Sequence, residues 1–268
     1  MQYVELGDTG LRVSRLSIGT GTHGFGGRSD QTSLGIEGLA DLLRKGYEHG
    51  INFWDAADGY GSHPHLAQAL RSVPRDDIVI ATKTMSRSGR EVRDDIDRFL
   101  RELGTDVIDV VLMHYLTRPG WTRDCRGAMD ALTRAKEVGK VRAVGVSCHD
   151  LEAMREASQS EWLDVALVRI NFAGTNMDAA PERAVPAIRR LYDAGKGVYA
   201  MKVLGCGRLA GRARESIQYV LGLGAVHAMT IGTTSDSQLL QNVRIVDELA
   251  RQHPLLPRPE AARGNRAE

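Results

Sequence analysis

Four residues have side chains and positions suited to proton transfer: Asp55, Tyr60, Lys83 and His114. Each stands at or just past the end of a short apolar run. Asp55 closes Ile51-Asn52-Phe53-Trp54, and Tyr60 follows in the loop Ala56-Ala57-Asp58-Gly59-Tyr60-Gly61. Lys83 ends Ile78-Val79-Ile80-Ala81-Thr82, and His114 ends Val110-Val111-Leu112-Met113. A carboxylate, a phenol, an ammonium and an imidazole at successive strand ends can meet on one rim of a parallel barrel. A free tyrosine titrates near ~10. A neighbouring ammonium favours the phenolate, so Lys83 is expected to pull the Tyr60 pKa down. Asp55 is expected to hold Lys83 charged and aimed, and His114 to orient the carbonyl oxygen that Tyr60 protonates. Such a set can protonate an alkoxide developing on a carbonyl. It has no electron source, so a hydride-donating cofactor is required. Singly, each residue has a structural explanation, such as a helix cap, a rim residue or a hydrogen-bonded core histidine. The case rests on all four sharing one barrel end.

The elements that must position them can be read along the chain. Tyr3-Val4-Glu5-Leu6 and Leu11-Arg12-Val13-Ser14 flank Gly7-Asp8-Thr9-Gly10, which reads as a hairpin. Eight β-type runs follow, at roughly 15–20, 51–56, 78–83, 107–114, 141–147, 164–172, 197–204 and 228–233. Amphipathic stretches such as Ile36 to His49, Val92 to Leu103 and Ala128 to Val138 lie between them, with Gly50, Gly104, Gly139 and Gly195 where helices should stop. Regular alternation implies right-handed βα crossovers and a parallel sheet. The expected fold is therefore α/β, a (β/α)8 TIM barrel with an N-terminal β-hairpin capping the barrel bottom. Residues 1–253 form its single domain, and 254–268 form a Pro/Arg-rich C-terminal tail expected to be frayed. Gly19-Thr20-Gly21-Thr22-His23-Gly24 fits GxGxxG. However, no helix pattern starts directly after it and no acidic residue closes the next strand at dinucleotide-fold spacing. It reads as a Gly-rich loop over the barrel mouth.

Composition narrows the function further. The 268 residues are 42% hydrophobic, enough for one full core, and 35 Lys+Arg against 34 Asp+Glu point to neither nucleic acid nor a membrane surface. Cys125, Cys148 and Cys206 are far apart and odd in number, and read as free thiols in a reducing cytoplasm. No apolar run approaches the ~20 residues of a membrane span, and no signal peptide is evident. A soluble, cytoplasmic protein is expected. His63 and His65 lack a third ligand and are expected to open the next helix, so no metal site is assigned. Trp121, after His114, is expected as a pocket wall.

Against that background the chain resembles the aldo-keto reductases over about residues 1–250. Asn52-Phe53-Trp54-Asp55-Ala56-Ala57-Asp58-Gly59-Tyr60-Gly61 is similar to the family's first signature, and Ile80-Ala81-Thr82-Lys83 to its lysine motif. Leu103-Gly104-Thr105-Asp106-Val107-Ile108-Asp109 through His114 resembles the segment that delivers its histidine. Gly145-Val146-Ser147 and Ile231-Gly232-Thr233-Thr234 with Asn242 resemble later cofactor segments.

The resemblance implies reduction of a small aldehyde or ketone by a nicotinamide cofactor, NADP(H) favoured and NAD(H) possible. It also implies a cofactor site. Ser147 should bond the carboxamide, with Cys148 where the family usually has Asn and Arg169 where it commonly has Gln. Met201 takes the slot of a stacking aromatic, and Met201-Lys202-Val203-Leu204-Gly205 is similar to a segment of some members, its Gly205-Cys206-Gly207 allowing close approach of a pyrophosphate. Gly21, Thr22, Gly232, Thr233, Thr234, Gln238, Gln241 and Asn242 complete the expected contacts. Members favouring NADPH often carry Lys or Arg around Gly232 to Ser235 and an Arg at Gln238; here these positions are neutral. Two other functions are consistent with the residues: a nucleotide-binding regulatory barrel with little turnover, and a non-redox barrel isomerase using Tyr60 and Lys83.

Overall fold

In the computed structural model of the chain, residues 1–259 are described. The hairpin forms as expected from β1 (Tyr3–Glu5) and β2 (Arg12–Ser14), antiparallel with Val4 opposite Val13. The eight expected runs become eight parallel strands. They are β3 (Leu16–Gly19), β4 (Phe53–Asp55), β5 (Val79–Thr84) and β6 (Ile108–Leu116), then β7 (Val141–Cys148), β8 (Val165–Arg169), β9 (Gly197–Met201) and β10 (Ala228–Gly232). They close in sequence order, β10 pairing back onto β3. The surrounding helices are α1 (Gly35–Glu48), α2 (His63–Leu70), α3 (Gly89–Leu103), α4 (Trp121–Asp124) and α5 (Arg126–Glu137). The ring is completed by α6 (Leu151–Ala157), α7 (Pro181–Asp193), α8 (Ala213–Gly222) and α9 (Asp236–Ala250).

The period-two alternation of each strand separates two apolar layers. One layer faces the helices and includes Trp54, Ile80, Val111, Met113, Val144 and Ala166. The other fills the barrel with Phe53, Val79, Ala81, Val110, Leu112, Val165, Leu167 and Tyr199. Leu6, Leu11 and Val13 belong to that interior layer and are at most 1% exposed, so the hairpin plugs the barrel bottom. Helix ends follow local rules. Ser88 and Glu91 form a capping box on α3, and Gly104 stops the helix in the left-handed region at φ 66°.

The segment after α9 differs from expectation within its described part. The Leu256 N–H donates to the Gly224 carbonyl at 2.8 Å, the Tyr192 hydroxyl donates to the Leu256 carbonyl, and Arg258 pairs with Asp8 at 2.6 Å. Leu256 through its backbone and Arg258 through its side chain thus tie this segment to the barrel, which composition does not reveal; the rest of the expected tail lies outside the described residues. Trp121 is also corrected. It is 2% exposed, donates its indole N–H to the Ala153 carbonyl at 3.1 Å and packs on Trp162, so it is core and not a pocket wall.

Truncating the plug, as in Leu6→Ala, should cost about 2–5 kcal/mol of unfolding free energy in urea titrations. Dinucleotide affinity should be unchanged, because the mouth lies at the other end of the barrel.

Candidate active site

Strand parity and register bring the four residues together. Phe53 and Asp55 face inward on β4, Ala81 and Lys83 on β5, and Leu112 and His114 on β6. Asp55 sits opposite Ala81, and Lys83 opposite Leu112, so the polar residues form the layer above the last apolar one. The Lys83 Nζ is fully buried; it donates to Asp55 Oδ1 at 2.8 Å and to the Ala56 carbonyl at 2.6 Å. Tyr199, inward on β9 and not anticipated from sequence, donates its hydroxyl to the same Asp55 oxygen at 2.9 Å. Its alternation with Met201 in Gly197-Val198-Tyr199-Ala200-Met201 was the available signal. Tyr60 Oη lies 3.4 Å from His114 Nε2, with the rings edge-to-face at 86°, and Lys83 Nζ lies 5.1 Å from the Tyr60 ring centre.

The expected fall of the Tyr60 pKa does not result; the net shift is upward. Burial pushes the phenol above its ordinary range, the Asp55 carboxylate adds to the rise, and Arg169 opposes it. The Lys83 charge is already committed to Asp55. Burial also lowers the Lys83 ammonium, with Asp55 working against that fall. His114 is held well below the usual imidazole range, first by burial and then by Lys83. Its Nδ1 is buried without a partner, so Nε2 carries its hydrogen bonding toward Tyr60. Two neutral groups therefore face the mouth 3.4 Å apart. A carbonyl oxygen at about 2.8 Å from each is within hydrogen-bond geometry.

A polar network behind the strands holds this arrangement. Thr82 and Thr84, the outward neighbours of Lys83, bond His63 Nε2 at 2.7 Å and Asp95 at 2.5 Å. His63 Nδ1 meets Glu102 at 2.7 Å, and Arg98 joins Asp58, Asp95 and Glu102 at 2.7, 2.8 and 3.0 Å. His63 and His65 open α2, as expected from sequence.

A cleft of about 270 Å³ runs from Tyr60 and Asp55 toward the ends of β9, β10 and β3. Of the expected cofactor residues, Gly21, Thr22, Met201, Lys202, Leu204, Gly207, Gly232, Thr233, Thr234, Gln238, Gln241 and Asn242 line it. Gly205 is buried in the adjoining loop. Cys206, within the expected Gly205-Cys206-Gly207 segment, lines it too, whereas Gln31 and Thr230 line it and were missed. The hydroxyls of Thr230 and Thr233 are buried without partners, which fits a polar ligand in the cleft. A Cβ on Gly232 would fall 2.2 Å from Thr22 Oγ1, so only glycine keeps this wall open.

Three expected contacts lie elsewhere. Ser147 is inward on β7 but off the cleft wall, its Oγ 3.4 Å from His149 Nδ1. One residue on, strand parity turns Cys148 outward among the helix-facing apolar residues, and burial pushes its thiol up, so its expected cofactor contact is corrected. Arg169 is neutralised by Asp178 at 2.6 Å and does not line the cleft. His149 was not singled out from sequence. It packs on Tyr115 with ring centres 4.5 Å apart and completes the rim beside His114 at 6.0 Å.

Burial also lowers His149 to about 3 and His227 to about 4. Below the unfolded value near ~6.5 the unfolded chain gains protons that the folded chain refuses. Stability should be full above that pH and fall as pH drops from ~6.5 toward ~4, with each buried imidazole steepening the loss by up to about 1.4 kcal/mol per pH unit. Urea midpoints measured between pH 7.5 and 5 check this; midpoints that rise on acidification would refute it.

Comparison with known proteins accords with this geometry. The sequence pattern of the Aldo/keto reductase family matches residues 17–257. A curated relative from Escherichia coli named NADH-specific methylglyoxal reductase is 27% identical over 201 residues, 66% of this chain and 61% of its own. An aldo-keto reductase from Bacillus subtilis is 28% identical over 58% of this chain and 49% of its own. The matched stretches thus span about half to three-fifths of these two relatives. A solved structure from Pseudomonas aeruginosa, described as an aldo-keto reductase by similarity, superposes with a TM-score of 0.79 at 27% identity, covering 92% of this chain and 95% of that one. With the family pattern spanning most of the chain and all four polar residues gathered at the barrel mouth, this protein belongs to the aldo/keto reductase family.

Proposed function

We propose that the chain reduces an aldehyde or ketone to an alcohol, taking hydride from a nicotinamide dinucleotide bound in the cleft and a proton from Tyr60. The observation that carries this is the pair of neutral donors, Tyr60 Oη and His114 Nε2, 3.4 Å apart at the end of the cleft and backed by the Lys83–Asp55 pair. The dinucleotide supplies the hydride when bound. The phenol, kept protonated by its burial, supplies the proton, and the nearby ammonium favours the phenolate left behind. A regulatory barrel with little turnover would have no use for an intact proton-donating layer, and an isomerase would have none for the polar cleft that runs from it past Gly232 and Thr233.

The features of the cleft favour NAD(H), the alternative of the two cofactors, over NADP(H). Among the described residues its charged lining is Asp30, Asp55 and Lys202. Thr233, Thr234 and Gln238 are neutral, and the Gln238 side-chain oxygen already accepts the Thr234 N–H at 2.9 Å. Arg212 is engaged by Glu215 and lies over Phe172. Among the described residues no guanidinium lines this end of the cleft to read a 2′-phosphate, whereas Lys202 can face a pyrophosphate. The name of the Escherichia coli relative agrees with this preference.

Calorimetric titration with both dinucleotides should show NADH binding more tightly than NADPH. Tyr60→Phe should retain NADH affinity and lower the rate of carbonyl reduction by about 10²–10⁴-fold. Undiminished turnover would rule out Tyr60 as the proton donor; tighter NADPH binding would restore the phosphate-reading cofactor and leave the chemistry intact.

A further inference from the structure

The run Gly19-Thr20-Gly21-Thr22-His23-Gly24 matches a dinucleotide motif by pattern but not by context. After Gly24 the chain passes through a loop and a short turn of 3-10 helix at Thr32–Leu34 before α1 starts at Gly35. No helix N-terminus faces a phosphate at this point. We infer that Gly21 and Gly24 form a seat for the aromatic ring of Tyr60, and that they act as positioning residues for the proton donor.

The spacing around the ring supports this. A Cβ added to Gly21 would fall 2.2 Å from Tyr60 Cε2, 2.4 Å from Cζ and 2.6 Å from Cδ2. One added to Gly24 would fall 2.3 Å from Cδ1, 2.8 Å from Cε1 and 3.0 Å from Cγ. The two glycines therefore press on opposite edges of the same ring. Neither has a left-handed φ, so the demand for glycine here is spatial and not conformational.

The loop is built to hold that position. The Gly24 N–H donates to the Gly21 carbonyl at 3.1 Å, the Thr22 N–H to Gln31 Oε1 at 2.9 Å, and the Asp30 N–H to the Thr22 carbonyl at 3.0 Å. It is fastened to the turn that carries Tyr60 by the Gly27 N–H donating to the Gly59 carbonyl at 3.0 Å. Gly61 seals the same joint, since a Cβ there would fall 2.1 Å from the Gly27 carbonyl oxygen.

The seat has two consequences for chemistry. It fixes the direction of the phenol, so Oη stays beside His114 Nε2 instead of swinging into the cleft. Its close approach to the ring also adds to the burial that keeps the phenol protonated. Gly21 lines the cleft as well, so Gly24 gives the cleaner test.

The decisive experiment is a double-mutant cycle of Gly24→Ala and Tyr60→Ala, read by urea unfolding, together with steady-state kinetics and calorimetric NADH binding of Gly24→Ala alone. Gly24→Ala should destabilise the wild-type protein and leave Tyr60→Ala unaffected, because the ring that the methyl strikes is then gone. Its kcat should fall by about 10²-fold from misplacement of the donor, with NADH affinity retained. The alkaline limb of its kcat profile should move down toward the ~10 of a solvated phenol. If Gly24→Ala does not fold, Tyr60→Ala/Gly24→Ala must still fold like Tyr60→Ala. Equal destabilisation in both backgrounds, or loss of NADH affinity with kcat retained, would overturn the seat and restore a phosphate-binding loop. The kinetic arm rests on the reductase reading. The unfolding cycle does not, so a protein without reductase activity can still show the coupling.

Discussion

The arrangement depends on one buried ion pair. Lys83 sits fully inside the barrel, above a layer of apolar side chains, and its ammonium faces Asp55 at 2.8 Å. Withdrawing two such charges from water costs several kcal/mol each, and their attraction offsets this only with good geometry and satisfied neighbours. The satisfaction here is specific: the Ala56 carbonyl accepts a second hydrogen bond from Lys83, and the Tyr199 hydroxyl adds a second donor to Asp55. The pair therefore fixes the registers of β4 and β5 and the path of the chain just beyond Asp55, which is the loop that carries Tyr60. Removing either partner strands a charge in a low-dielectric interior, so the pair is all-or-none.

Strand parity divides the work between two faces. Inward residues at the mouth do chemistry, while Thr82 and Thr84, one step to either side of Lys83, anchor the strand outward through His63 and Asp95. Arg98 gathers Asp58, Asp95 and Glu102, so one helical residue of α3 ties the Tyr60 turn to the Lys83 strand. The Gly-rich loop closes the other side of the ring. Tyr60, on a connecting loop, is thereby bounded on both sides by hydrogen-bonded segments.

How much of this was legible in the sequence depended on the range of each interaction. The eight strands, the hairpin and the glycine helix stops are local patterns, and Gly50, Gly104, Gly139 and Gly195 all take positive φ between 66° and 82°. The four polar residues were legible because each ends an apolar run. What escaped was set by distant packing. The rise of the Tyr60 pKa follows from burial in the folded barrel and from Asp55 on β4, neither of which the local sequence displays as a rise. The orientation of Cys148 needed the strand register, which sequence gives only once Ser147 is known to face inward. Trp121 looked like a pocket wall from its place after His114, but its indole N–H had a backbone partner at Ala153. Proline and arginine after Pro254 suggested fraying, whereas Leu256 bonds Gly224 through main-chain atoms.

The protonation states also bear on the proton step. Burial holds Tyr60 as the phenol and His114 as the neutral imidazole, and the nearest full charges, Lys83 and Asp55, cancel as a pair. A site in this state is prepared to give a proton to an oxygen that is gaining negative charge, which is the demand of carbonyl reduction. The phenolate left behind must be re-protonated before the next turnover. The two strongest influences on Tyr60, burial and the Asp55 carboxylate, both disfavour that form. Of the groups around the ring, Arg169 opposes them, and its charge is largely taken up by Asp178. The same packing that fixes the ring therefore keeps the donor protonated, with the proposed seat for Tyr60 bearing on its acidity as well as on its geometry.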